Sequence, residues 1–267
     1  MNLLAMTPCC VDFYPQINSS FLGGNSLNVA SMWKKLSQDS HVSVITCLGN
    51  DENGKRIFDF LKNNQIDVSH VRIENGKTAC NQLRVDETGE RFGIEGTWEG
   101  GVYETFLLSE DDWNYVERFD IIAIPANNPN FNGMIKRKHQ HQMLVVDYLD
   151  VENNIDIEQS IENVDIAFVT ARKSMLLELE YLANATKTLL VVTLGSHGSQ
   201  AFFYEKIYFQ PAINVPKIVD TTGCGDAYQA AFSLNYKCHN DIALSMKAGA
   251  MAASSILQYW GGVGNKE

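Results

Sequence analysis

The chain contains no stretch of about 18 consecutive apolar residues, the length that a helix needs to cross the hydrocarbon core of a membrane. Its opening, MNLLAMTPCCVDFYP, is briefly apolar but carries neither a basic leader nor a small-residue cleavage site, so it reads as a first β-strand and not as an export signal. Both absences predict a cytoplasmic protein. Positive charge is scarce: 21 Lys and Arg stand against 32 Asp and Glu, for a net charge of −11. Nucleic acids and anionic membranes are bound by clustered basic side chains, so neither is an expected partner, whereas a small anion is admissible if a metal accompanies it. None of the six cysteines (Cys9, Cys10, Cys47, Cys80, Cys224, Cys238) belongs to a C-x-x-C pair, which argues against a zinc site and for reduced, packed thiols. No repeat, low-complexity tract or Pro- or Ser-rich linker divides the 267 residues, so the expectation is one domain over 1–267.

What is present is an alternation of short β-branched runs with helical segments. From residue 119 the order is FDIIAI then FNGMIKRKHQH, MLVVDY then IDIEQSIEN, VDIAFV then KSMLLELEYLAN, and finally TLLVVTLG. Such alternation predicts an α/β fold with a mostly parallel sheet between helices. The N-terminal half repeats the unit, with a helix at about 26–38, the strand HVSVITCLG and a helix at about 53–63. Between Val71 and Gly100 the pattern changes to alternating strands around Asn75-Gly76 and Thr88-Gly89, both hairpin turn signals. A small β-strand lid, drawn from about 10–25 and 70–100, is therefore expected beside the main sheet. GCGDAYQAAFSLNYK and NDIALSMKAGAMAASSILQYW read as two consecutive helices.

The stretch IVDTTGCGDAYQAAF, residues 218–232, carries the most chemistry. A Gly-rich turn ahead of a helix leaves backbone N–H groups without partners and aims them, with the positive helix end, at one point. Gly223, Cys224 and Gly225 thus form a candidate anion hole. A carboxylate beside an anion site repels the anion unless it takes a proton from a hydroxyl attacking that anion, which makes Asp226 a candidate general base for phosphoryl transfer. Two other stretches are set aside. GNDENGKR nearly spells a P-loop, but Arg56 stands where a hydroxyl is needed for magnesium, and Asp51 and Glu52 would place negative charge in the phosphate cradle. His139 and His141 have no third ligand in the sequence and read as a solvated helix face.

The sequence resembles the ribokinase-like, or PfkB, carbohydrate kinases. Their signature D-T-x-G-A-G-D matches Asp220-Thr221-Thr222-Gly223-Cys224-Gly225-Asp226 except at Cys224, and FLGGNSLNVA, LGNDENG and VVTLGSHGS are similar to three further family segments in the same order. The resemblance implies a three-layer α/β/α fold, ATP and Mg²⁺ as cofactors, and a sugar acceptor. It implies that Asp12, Gly23, Gly24 and Asn28 bind the sugar, and that Thr193, Gly195, Gly198 and Gly225 bind the nucleotide. Asp220 and Thr222 match positions that hold a monovalent cation, K⁺, in some members. Within the family, CCVDFYPQINSSFLGGNSLNVA and EGGVYETFLLSEDDW look like the branch that phosphorylates fructoselysine at its 6-hydroxyl. Another ketose, a nucleoside, or a non-catalytic sugar- or nucleotide-binding protein of the same fold stays open, as does a homodimer through the lid. The chain departs from the family at TARKSMLLE, where Asn-x-x-Glu is usual; Arg172, Lys173 and Glu178 are the charged residues in its place. It departs again at Thr7-Pro8, where a Gly-acid pair is common.

Overall fold

The computed structural model describes residues 1–6, 8–150 and 157–263. Its strands in chain order are β1 (Asn2–Met6), β2 (Cys10–Tyr14), β3 (Ser19–Gly23), β4 (His41–Gly49), β5 (Val71–Glu74), β6 (Cys80–Val85), β7 (Arg91–Gly93), β8 (Ile121–Pro125), β9 (Met143–Asp150), β10 (Ile166–Thr170), β11 (Leu189–Thr193), β12 (Ser199–Phe203) and β13 (Lys206–Gln210). The helices are α1 (Asn25–Leu36), α2 (Glu52–Asn63), α3 (Glu110–Val116), α4 (Phe131–Arg137), α5 (Leu176–Thr186), α6 (Cys224–His239) and α7 (Ile242–Ile256). Nine strands form one sheet in the order β13-β12-β11-β10-β9-β8-β1-β4-β5, parallel except for the β11-β12-β13 edge. Four others form a small sheet in the order β3-β2-β6-β7.

Alternation along each central strand sends neighbouring residues to opposite faces. Leu3 and Ala5 of β1 enter one buried cluster with residues of α1, α2, α6 and α7, while Leu4 and Met6 enter a second with residues of α3, α4 and α5. The central strands are therefore apolar on both sides, as a covered parallel sheet requires. Trp33 of α1 is fully buried and its indole N–H donates to the Ala230 carbonyl of α6 at 3.0 Å, joining two helices far apart in sequence. Among the described residues no helix is long and apolar enough to cross a membrane, and the six cysteines are free, with Cys238 exposed rather than packed.

Four sequence expectations need correction. Asn75-Gly76 does not close a hairpin, because Val71–Glu74 find a parallel partner in β4 and finish the main sheet, while β6 joins the small one. The second turn does make a hairpin: Asp86 Oδ1 accepts from the amides of Thr88 and Glu90, and β6 and β7 pair across it. Helix α4 stops at Arg137, since buried Gln142 accepts from the His139 amide and donates to the Val116 carbonyl, which pins residues 138–142 as a turn. His139 and His141 are thus exposed on that turn and not on a helix face. The helix expected over IDIEQSIEN falls partly on residues 151–156, outside those described; the remainder holds only a 3₁₀ turn at Ile161–Asn163. The last helix ends at Ile256, four residues short of Trp260, whose ring packs edge-on against Tyr14 at 5.3 Å.

The P-loop-like stretch is a helix cap. Asp51 accepts from the Gly54 amide and, through both oxygens, from the amide and hydroxyl of Thr78. Burial opposes its charge, but those hydrogen bonds outweigh burial and hold the carboxyl below its usual range.

Candidate active site

Asp226 occupies the first turn of α6 and is gripped by the first turns of α1. Its Oδ2 accepts from Asn28 Nδ2 at 2.8 Å, and its Oδ1 accepts from Asn25 Nδ2, which also donates to Asp147 Oδ2 at 3.2 Å. Burial raises the carboxyl to about 7; the Asn28 hydrogen bond opposes that rise, the neighbouring Asp147 charge adds to it, Arg91 opposes it and Asp12 adds to it. A carboxylate tuned near neutrality and fixed by two amides suits proton transfer. Above it, the amides of Gly223, Gly225 and Asp226 have no partner among the described residues, whereas the Cys224 amide donates to the Thr221 carbonyl at 3.2 Å. The expected hole therefore loses the Cys224 N–H and gains that of Asp226 itself. A methyl group at Gly225 would meet nothing within 4 Å, so open space lies over this helix end. The Cys224 thiol is pushed up to about 12 by burial, with the Asp220, Glu90 and Asp226 charges adding, which keeps it protonated and unreactive.

Asp12 stands in the middle of β2, the second of the two strands into which the opening stretch, read as one strand in the sequence, divides. It is buried, and the Cys10 thiol at 3.6 Å is the one hydrogen-bond donor that its carboxylate meets among the described residues. Burial raises it to about 6, opposed by Arg91 and the Cys10 contact, with Asp220 adding to the rise. Gly23 on β3 pairs with Cys10, diagonally from Asp12, and a Cβ there would fall 2.1 Å from Asp12 Oδ2. Glycine at this position is what admits the carboxylate. Gly24 follows as the cap of α1, and Asn28 Oδ1 is buried without a partner among the described residues.

A model of the pfkB family of carbohydrate kinases matches residues 14–266. The chain belongs to this family. It is an ATP-dependent carbohydrate kinase of ribokinase-like fold. It is 27% identical to fructoselysine 6-kinase of Shigella flexneri over 94% of this chain and 95% of that one. To the fructosamine kinase FrlD of Bacillus subtilis it is 24% identical over 99% of this chain and 93% of that one. Its fold is similar to that of the adenosine kinase from Sinorhizobium meliloti, with a TM-score of 0.82, 18% identity, and coverage of 98% and 95% of the two chains.

Other expected site residues of the kinase lie farther out. Thr193 ends β11 and its hydroxyl is within 3.0 Å of the Thr170 hydroxyl, joining two strand ends. Gly195 faces open space, but Gly198 (φ 87°) is glycine because a Cβ would lie 2.2 Å from the Gln210 carbonyl oxygen. Its place is thus explained by the β12–β13 edge. Asp220 Oδ1 accepts from the Thr222 amide and hydroxyl, and Oδ2 from the Tyr14 hydroxyl at 2.7 Å and the Gly261 amide at 2.9 Å. Four donors occupy this buried carboxylate, which braces the turn against β2 and the C-terminal loop. Among the described residues no group of three or more His, Cys, Asp or Glu is arranged to hold a metal. Asp220→Ala leaves those donors unmatched, and the expected loss is about 3–5 kcal/mol of unfolding free energy, measured by urea titration. Arg172, Lys173 and Glu178 are exposed at the entry to α5.

Three residues at the centre were not picked out from the sequence. Asn25 begins α1 and bridges Asp147 to Asp226; Asp147 on β9 pairs with Pro125, the last residue of β8; Arg91 stands on β7 and acts electrostatically on both Asp12 and Asp226. An acid at the carboxyl end of a parallel strand, where open α/β sheets bind ligands, is the signal that marks Asp147.

Proposed function

We propose that the kinase transfers the γ-phosphate of ATP to a primary hydroxyl of a ketose-type acceptor, namely the 6-hydroxyl of fructoselysine or a related fructosamine. The observation that carries this reading is Asp226: a carboxylate raised to about 7, held by Asn25 and Asn28, directly below the unpartnered amides of a helix N-terminus. In this reading Asp226 takes the proton of the attacking hydroxyl while the Gly223 and Gly225 amides receive the charge of the phosphoryl group. Asp12 accepts hydrogen bonds from sugar hydroxyls, since its buried carboxylate has capacity beyond the Cys10 thiol. Gly23, Gly24 and Asn28 form the floor beneath the sugar, and the unmatched Asn28 oxygen takes a further hydroxyl. Thr193 and Gly195 flank the nucleotide at the strand ends, and the small sheet covers the acceptor and excludes water. The two fructosamine-phosphorylating relatives, similar along nearly the whole chain, support the choice of acceptor.

Mg²⁺ bound with ATP phosphates keeps several waters and needs only one or two protein carboxylates. Asp147 fits that need, because its part-buried carboxylate meets only the Asn25 amide and the Leu149 N–H among the described residues. It would hold the ion, which when bound neutralises phosphate charge.

The test is ADP release from Mg-ATP with fructoselysine, fructose, ribose and a nucleoside. Fructoselysine is expected to give the highest kcat/KM; stimulation by the nucleoside alone would replace this acceptor. A pH dependence follows from the same residue. Asp226 acts as a base only when ionised, so log kcat/KM is expected to rise with pH at a slope of about one and level off near pH 7, the value to which burial raises it. Asp12, raised to about 6, steepens the limb below that. A rate unchanged from pH 5 to 8 would be incompatible with Asp226 as the base.

A further inference from the structure

The small sheet turns a defined face toward the site. Asp12 on β2 pairs with Asn81 on β6, and Val85, farther along β6, pairs with Arg91 on β7. Paired residues share a face and successive residues alternate, so Asp12, Asn81, Leu83, Val85 and Arg91 all lie on the inward face, with Asp12 and Leu83 buried and Arg91, like the rest of β7, exposed. Gln82, Arg84 and Phe92 point outward and are exposed, with Arg84 lying 5.0 Å over the Phe92 ring. The Arg91 strand is also fastened to the signature turn, because the Arg91 amide donates to Thr221 Oγ1 at 2.9 Å. Inward-facing Arg91 thus sits beside the turn that carries Gly223 and Asp226. Its guanidinium has no ion pair or hydrogen bond among the described residues, although its charge lowers both Asp12 and Asp226 against the effect of burial.

A cation left unpaired near Asp12 and Asp226 is matched to an anion that comes and goes. A fructosamine built on an amino acid brings one: besides ketose hydroxyls and an ammonium, which acidic side chains favour, it carries a carboxylate that those same side chains repel. Arg supplies two parallel N–H donors for such a group. Four residue steps along β6 separate the backbones of Asn81 and Val85, about 13 Å at the rise of a strand, which leaves room along this face for the amino-acid part.

We propose that Arg91 is the specificity residue of the acceptor site and binds the carboxylate of the amino-acid part of the substrate. This rests on the fructosamine reading above. The test compares a fructosyl amino acid with its neutral carboxamide, using wild type, Arg91→Gln and Arg91→Lys. Wild type is expected to favour the carboxylate by roughly 10- to 100-fold in kcat/KM, the range of a charged hydrogen bond, with the difference in KM. Arg91→Gln is expected to lower turnover of both acceptors through its effect on Asp12 and Asp226 but to bring their kcat/KM ratio to about one, and Arg91→Lys to restore part of the preference. A preference that survives in Arg91→Gln overturns the assignment and leaves the kinase reading intact. Equal losses on both acceptors with a raised KM for ATP also overturn it, by giving Arg91 to the phosphates. If wild type phosphorylates fructose but neither fructosamine, the acceptor reading falls and Arg91's assignment falls with it.

Discussion

Asp226→Asn is expected to lower kcat by roughly 10²- to 10⁴-fold, the contribution typical of a positioned general base, with little change in KM for ATP. The replacement is nearly isosteric and keeps one oxygen for the Asn25 amide, while Asn28, whose Oδ1 has no partner among the described residues, can turn its own amide to accept from the new NH₂, so the first turns of α1 and α6 stay joined. What it removes is the capacity to accept the hydroxyl proton. Stability is expected to move the other way. Between about pH 4 and pH 7 the unfolded chain has released this proton while the folded chain, with Asp226 raised to about 7, still holds it. Folding stability in that window therefore falls as pH rises. The Asn variant does not titrate, so its Tm relative to wild type should be higher at pH 8 than at pH 4. Retention of more than about a tenth of kcat would remove Asp226 from the chemistry, because it lies below the smallest loss expected of a base.

The second large effect separates two glycines of one turn. Gly225→Ala places a methyl where no atom lies within 4 Å, and alanine favours a helix over glycine by about 1 kcal/mol. The variant should be at least as stable as wild type. That methyl nevertheless fills the space over the Gly223 and Gly225 amides, and kcat is expected to fall about 10²- to 10³-fold, as when a donor to developing charge is lost. Gly223→Ala behaves oppositely. Its φ of 76° costs a residue with Cβ about 1–2 kcal/mol, and the new Cβ would stand 2.6 Å from the Gly262 Cα, a backbone atom that cannot rotate away. A reduced Tm and a shifted urea midpoint are expected there. A fully active Gly225→Ala enzyme would mean that the phosphoryl group is received elsewhere.

Much of this arrangement is legible in the residues. The alternation after residue 119 marks β8, β9, β10 and β11, and the glycines before α6 mark its open end, because both patterns are local. The β12–β13 hairpin is not visible in the same way. Its turn, Tyr204-Glu205, has both residues at positive φ (47° and 61°) without Gly, Asn or Asp, so the usual turn signal is missing. Asn75-Gly76 has the signal, yet it joins strands of different sheets, since turn chemistry states that the chain reverses and not which strand it meets. CCVDFY follows β1 so closely that the two strands read as one in the sequence. Arg91, Asn25 and Asp147 are ordinary residues in sequence. Register and distance alone bring them to Asp226.

Asn28 and Asp226, which share one hydrogen bond, are 198 residues apart. A chain halted before Asp220 would possess Asp12, Asn25 and Asn28 but neither the base nor the helix end that receives the phosphoryl group. During refolding, the first turnover therefore times the docking of the final segment onto α1, and the enzyme's own product becomes the clock for a long-range closure in its topology.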